Sequence, residues 1–231
     1  FVVSAGMTSI YLAIFNDNAN GGNVRNYSPL EPRFGMKWSV NEKSTFSFGL
    51  GYHSQTQPLY TRYYLSPGNS TSSNEALGLS YSKHIVLGYS HQLSKNFGIK
   101  TEAYYQGLTG IPIETDSSAF SLINAGSGFA RVFPNTLVNN GTGYNYGLEV
   151  TIQRYFNKNW HALFSGCLYN SRYTPSDGIE RNTSYNGLYA ANFLAGKEFR
   201  VGENKVLGLG IKITGAGGKR KGILDPVLSG Q

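Results

Sequence analysis

Four short turns constrain this chain more than any other feature: Asn41-Glu42-Lys43, Ser94-Lys95-Asn96, Asn157-Lys158-Asn159 and Gly202-Glu203-Asn204. Each is flanked by runs of about ten residues that alternate in polarity, and alternation with a period of two is the mark of a strand with two unlike faces. Between one hairpin and the next lies a much longer polar loop rich in Gly, Ser and Asn. Short turns at one end and long loops at the other are the sequence signature of a transmembrane β-barrel.

The faces can be read residue by residue. Phe34, Met36, Trp38 and Val40 face the same way as Phe46, Phe48, Leu50 and Tyr52, with Arg33, Lys37, Ser39, Ser47, Gly49 and Gly51 opposite. The next hairpin places Ile85, Leu87, Tyr89, Phe97, Ile99, Ala103 and Tyr105 together, against Lys100, Glu102 and Gln106. In the third, Tyr146, Leu148, Val150 and Ile152 oppose Asn145, Gly147, Glu149, Thr151 and Gln153, and the returning strand presents Trp160, Ala162, Phe164 and Leu168. The last sets Leu207, Leu209, Ile211 and Ile213 against Gly208, Gly210, Lys212 and Thr214. The run from Tyr189 to Arg200 carries apolar residues and charge on both sides, and alternation does not orient it.

A soluble sandwich buries its apolar face and a membrane barrel turns that face to lipid, so alternation alone does not separate them. Three further signs favour the barrel. Only 14% of residues are charged, against about 25% in soluble domains. Trp38, Phe97, Tyr155, Phe156, Trp160 and Phe199 lie close to the short turns, where an interfacial aromatic belt is expected. The long loops, on one side only, are uncommon in sandwiches. No run approaches the roughly 18 apolar residues of a spanning helix.

One strand before Asn16 and four hairpins make about nine strands. Barrels in lipid must close, because an open edge leaves unsatisfied backbone groups. The odd count, an opening at Phe1-Val2-Val3 without a charged leader and an end at Leu228-Ser229-Gly230-Gln231 predict a piece of a larger barrel. The expected domain is residues 1–231 as part of one barrel.

The runs Glu31-Pro32-Arg33-Phe34-Gly35-Met36-Lys37-Trp38 and Gly51-Tyr52-His53-Ser54-Gln55-Thr56-Gln57-Pro58-Leu59 carry a family resemblance. So do Glu102-Ala103-Tyr104-Tyr105-Gln106, Gly141-Thr142-Gly143-Tyr144-Asn145-Tyr146-Gly147-Leu148-Glu149, Asn192-Phe193-Leu194-Ala195-Gly196-Lys197-Glu198-Phe199 and Gly215-Ala216-Gly217-Gly218-Lys219-Arg220. In order and nearly throughout, the chain resembles the barrel of TonB-dependent outer-membrane receptors, in the branch with an N-terminal carboxypeptidase-regulatory-like domain. The resemblance implies a 22-stranded barrel occluded by a plug, importing a scarce ligand (siderophore, peptide or oligosaccharide) with energy from TonB across a Gram-negative outer membrane. The TonB box, the plug, the first half of the barrel and its last strands are not among these residues. The partners it implies are the plug, TonB, outer-membrane lipid with lipopolysaccharide, and in some cases a surface lipoprotein. A passive channel and a soluble extracellular glycan-binding β-protein are the alternative readings.

Within this frame Lys37, Lys100, Glu102, Glu149 and Lys212 are the candidate lumen-facing charges, because Lys or Arg facing mid-bilayer costs about 2–4 kcal/mol. They either touch the plug or form ion pairs along the wall. Two loops are the candidate ligand contacts: Tyr60, Arg62 and Tyr63 in one, Phe120, Phe129, Arg131 and Phe133 in the other, with Gly126-Ser127-Gly128 as a hinge.

No enzyme, cofactor or metal is expected. Cys167 stands alone, and His53, His84, His91 and His161 show no metal-ligand spacing. Asn16-Asp17-Asn18-Ala19-Asn20-Gly21-Gly22 has the look of a calcium loop, but counting from Asp17 its twelfth position is Ser28 where a glutamate is needed. The net charge of +7 is scattered, and Lys219-Arg220-Lys221 is the one cluster, so nucleic acid is not an expected partner.

Overall fold

The structure is a computed structural model that describes residues 1–9, 11–14, 24–27, 29–63, 74–125 and 136–220. The calcium-loop-like segment, Gly126-Ser127-Gly128, Phe129, Arg131, Phe133 and Lys221 lie outside the described residues.

Turn chemistry sets the hairpins. The Asn41 side-chain oxygen accepts from the backbone N–H of Lys43 at 2.9 Å and of Ser44 at 2.8 Å, a side-chain mimic of a turn. Lys158 and Asn159 both adopt positive φ, at 51° and 64°, as a two-residue hairpin turn matched to strand twist requires. These turns join β4 (Glu31–Ser39) to β5 (Ser44–Gln55), β6 (Ser80–Ser94) to β7 (Phe97–Glu114), β8 (Leu137–Asn157) to β9 (Trp160–Thr174), and β11 (Tyr189–Arg200) to β12 (Val206–Ala216). β1 (Val2–Thr8) pairs with β4, giving one antiparallel sheet in the order β1-β4-β5-β6-β7-β8-β9-β11-β12. A two-residue strand, β10 (Arg181–Asn182), adds to β9, and β2 (Tyr11–Ile14) with β3 (Val24–Tyr27) forms a separate hairpin. The neighbour-to-neighbour order is the one the turns predict, with nine strands along its path.

The registers fix two faces. One row of cross-strand partners runs Lys37, Ser47, Gly88, Glu102, Glu149, Cys167, Ala190; the adjoining row runs Trp38, Phe46, Tyr89, Thr101, Val150, Gly166, Ala191. All five predicted charges fall on the polar face. β11, which alternation leaves unoriented, is settled by its neighbours: Asn192 lies between Ser165 and Thr214, and Phe193 between Phe164 and Ile213. Its even residues therefore join the polar face, and Lys197 falls on the apolar one.

Burial is distributed in an unusual way. Leu148, Leu168 and Ile211 are 48%, 65% and 53% exposed in the middle of the apolar face. The buried apolar side chains Leu77, Leu79, Ile111, Ile113, Leu122, Leu137 and Tyr173 instead gather at the long-loop end. A sandwich core would cover the apolar face; among the described residues nothing does.

Candidate functional site

At the long-loop end, side chains that bond to backbone groups far away in sequence build a cap. Asn139 accepts from Gly78 N–H and donates to the Gly110 carbonyl, each at 2.7 Å. The Asn74 side-chain oxygen accepts from Leu137 N–H at 2.8 Å. Gln57 donates to Ser80 Oγ at 2.8 Å and to the Gly78 carbonyl. Gly110 has φ +67°, and a Cβ there would lie 2.8 Å from the Leu79 carbonyl oxygen, so glycine alone lets these segments close up.

Beneath this cap the polar face holds a pocket of about 780 Å³. Its wall includes alternate residues of three strands, His53, then Ser80, Ser82 and His84, then Gln106 and Leu108, with Ser54, Gln55 and Tyr81 also bordering it. Its roof comes from Pro58 and Tyr60 at the short helix α1 (Leu59–Arg62), and from Leu122 and Ile123 in a 3-10 turn. The polar wall is pre-ordered: Gln106 donates to Ser82 Oγ and accepts from Asn145, both at 2.8 Å. The His53 and His84 rings stack with centroids 4.8 Å apart and 7° between planes. No Asp, Glu, Lys or Arg is among the described residues lining this pocket.

The predicted contacts divide around it. Tyr60 lines the pocket. Arg62, expected to meet ligand, is instead fully buried: its guanidinium donates to the carbonyls of Glu75, at 3.2 Å, and of Leu77. It builds the loop rather than facing the cavity, because the carbonyls of Glu75 and Leu77, buried against it outside any strand, need a donor. Tyr63 closes α1 by donating its N–H to the Leu59 carbonyl, and Phe120 lies outside the pocket lining.

Nearer the short turns, the polar face brings Lys100, Glu102 and Glu149 together. Lys100 Nζ is 2.5 Å from Glu102 Oε2, and Glu102 lies directly across from Glu149. Opposed carboxylates repel, and among the described residues the ammonium bonded here, that of Lys100, serves Glu102. Lys37 borders the same hollow as Lys100 and Glu102, while Lys212 lies apart beside Leu194.

The aromatic belt is more complex than its spacing suggests. Trp38, Phe97, Trp160 and Phe199 keep to the apolar face, but the register shifts between Arg154 and Asn157. Tyr155 continues the polar-face row of Thr151 and Gln153 and borders a hollow with them, while after the slip Phe156 lies 6.2 Å from the His161 ring. A one-residue bulge turns the side chains beyond it to the other face. Among the described residues of the apolar face, three cations that alternation concealed lie over aromatic rings, Arg154 on Trp160 at 3.9 Å, Lys197 on Phe199 at 5.0 Å and Lys83 on Tyr52 at 6.0 Å, while Arg172, across from Tyr144, pairs with Glu180.

A Ser–His contact that sequence reading missed joins Ser44 Oγ to His91 Nδ1 at 2.8 Å. Among the described residues the hydrogen-bond partners of His91 are Ser44 and Tyr89. Neither is a carboxylate or amide that would hold the ring as a base, so the pair anchors the turn rather than activating a nucleophile.

Beyond the strands, Asp177 accepts two bonds from Arg181, at 2.8 and 2.6 Å, and Glu180 accepts from Arg172 at 2.5 Å and from Tyr144 at 3.0 Å. The Arg181 bonds hold the Asp177 carboxyl below its usual range, and Arg172 does the same for Glu180. A depressed folded pKa stabilises above the unfolded value, about 4, and that contribution is lost as pH falls through the folded value. Hydrogen exchange over residues 175–181, corrected for intrinsic rates, should show protection at pH 7 that disappears near pH 3. Equal protection at both would mean the pairs are not holding this loop.

The fold has solved counterparts. The FrpB iron transporter from Neisseria meningitidis (F3-3 variant) matches 91% of this chain with a TM-score of 0.63 at 16% identity. The apoprotein form of its F5-1 variant matches 86% at 0.58 and 15% identity, and the copper transporter OprC 85% at 0.53 and 11% identity. This chain spans 30%, 28% and 29% of those chains, respectively. No protein-family model and no curated protein sequence matches it. The chain has the antiparallel β-sheet fold of a portion of these transporters' barrels, as the sequence reading expected.

Proposed function

We propose that this chain forms part of the wall of a plugged, 22-stranded TonB-dependent receptor that imports a scarce ligand across a Gram-negative outer membrane. The observation that carries the reading is the uncovered apolar face with its cations confined to two heights. Tyr144, level with Lys83 and Tyr52, is ten residues along β8 from Arg154, which is level with Phe97. At about 3.3 Å per residue and a tilt near 40° those rows stand about 25 Å apart, the height of a barrel's lipid-facing band. Cations over aromatic rings belong at the edges of that band. The apolar face then meets lipid, the polar face lines the lumen, and the capped pocket opens toward the outside. β7 and β8, at 18 and 21 residues, exceed the roughly eleven that cross a bilayer. Their far halves stand clear as the frame of the cap.

In this reading the opposed Glu102 and Glu149 present carboxylate to cationic groups of the plug. In the full-length protein, Glu102→Gln with Glu149→Gln should loosen the plug and raise single-channel conductance in planar bilayers, without loss of folded protein. Unchanged conductance would leave these residues as wall ion pairs only.

The receptor reading itself is tested by uptake. Cells relying on the full-length protein should lose ligand accumulation when TonB is deleted or the proton gradient is collapsed. Accumulation indifferent to both, with a steadily open channel in bilayers, would make the protein a passive pore.

A further inference from the structure

The geometry points to a binding site for a first-row divalent transition-metal cation at the pocket wall, held by His53 and His84 above Gly51. The two residues come from adjacent antiparallel strands: His53 pairs with Ser82, and His84 pairs with Gly51. They are therefore diagonal neighbours on one face, within reach of each other. Their Nε2 atoms lie near one point, although the rings themselves stack nearly parallel. A Cβ built on Gly51 would lie 2.5 Å from His84 Nε2 and 2.8 Å from His53 Nε2, so both nitrogens flank one point left open by the missing side chain. Neither imidazole has a hydrogen-bond partner among the described residues; each meets the other ring.

Neutral imidazole suits copper, nickel, zinc and iron in their divalent states. Bonds of about 2.0–2.1 Å to two nitrogens require their separation to close to about 3 Å, which rotation of the two rings toward the space over Gly51 supplies. Two protein ligands leave further coordination positions for water or for donors carried by the cargo, unlike a closed four-ligand structural site. The surrounding charge permits a cation. Arg33, the other cross-strand partner of Gly51, donates to Thr8 and lies 3.6 Å from Glu31, whose carboxylate offsets it. The pocket lining adds no further charge.

This site deepens the receptor reading, since the cation would be cargo or part of cargo, but its test does not depend on transport. Untagged full-length protein in detergent micelles is titrated with aqueous Cu²⁺, and separately with Cu²⁺–iminodiacetate, and followed by electron paramagnetic resonance. The expected result is one equivalent with two coordinating nitrogens. Binding of the aqueous ion alone would mark a free-ion site, and binding of both a site for chelated metal.

Either His53→Gln or His84→Gln should weaken binding about tenfold or more, while His91→Gln and His161→Gln should not. Gly51→Ala keeps both imidazoles but fills the point between them, and should cause the same loss. Its folding, like that of the others, is checked by heat-sensitive gel migration. Binding that persists in the His53→Gln/His84→Gln double variant, or no binding above the micelle background, would overturn the proposal. Uptake in cells is a separate measurement, so the metal site and the receptor reading can fail independently.

Discussion

Leu148→Arg is expected to cost the folded barrel about 2–4 kcal/mol, the penalty for a cation facing the middle of a bilayer. Leu148 is 48% exposed in the chain by itself and lies between Ala103 and Leu168 in the middle of the apolar face. Were that face wet, the same substitution would fall among ordinary surface changes, within about 0.5 kcal/mol. Few positions separate lipid from water so widely. Reversible denaturant unfolding of the full-length protein in lipid vesicles reads the difference, with Thr151→Arg on the polar face as the control. A small and equal effect at both positions would place water on both faces.

Arg62→Ala is expected to open the loop at residues 56–63 and 74–79 without unfolding the sheet. The buried guanidinium serves two carbonyls, Glu75 and Leu77, from a helix of only four residues that has little stability of its own. Leaving two buried acceptors without their donor costs about 1–3 kcal/mol each, more than such a segment can absorb. The barrel wall, held by its own ladders, should keep its unfolding transition. Limited proteolysis should therefore show rapid cleavage in this loop and loss of the Tyr60 roof over the pocket. Continued protection would mean the cap is held mainly by Gln57, Asn74 and Asn139.

How far the sequence could be read depends on the range of each interaction. The hairpins were legible because turn chemistry is local: Asn41 bonds two and three residues ahead. The faces were legible where strands contrast strongly, as in β5, β8 and β12. β11 was not, since its Ala, Gly and Leu residues give weak contrast and its orientation is set by pairing with β9 and β12.

Closeness to the turn suggests a belt position for Tyr155 and Phe156, but alternation from Gln153 already turns Tyr155 to the polar face, and the slip after Arg154, which redirects Phe156, leaves no trace in composition. Arg62 resembled a ligand contact because a basic residue in a long polar loop usually faces water; here backbone carbonyls claim it. The pocket was out of reach for a related reason. Asn139 meets Gly78 across 61 positions, and His53 meets His84 across strands whose order only the sheet reveals. Nothing local marks either pair.

The measurement that bears most directly on the account is a nitroxide scan of β8, one label at a time from residue 147 to 152, in the full-length protein reconstituted in lipid. Accessibility to dissolved oxygen should peak at 148, 150 and 152, and accessibility to a water-soluble nickel chelate at 147, 149 and 151. That alternation would put lipid on the apolar face and a wet lumen behind it. Labels that meet the nickel chelate equally on both faces, or an alternation of opposite phase, would contradict a membrane-spanning wall.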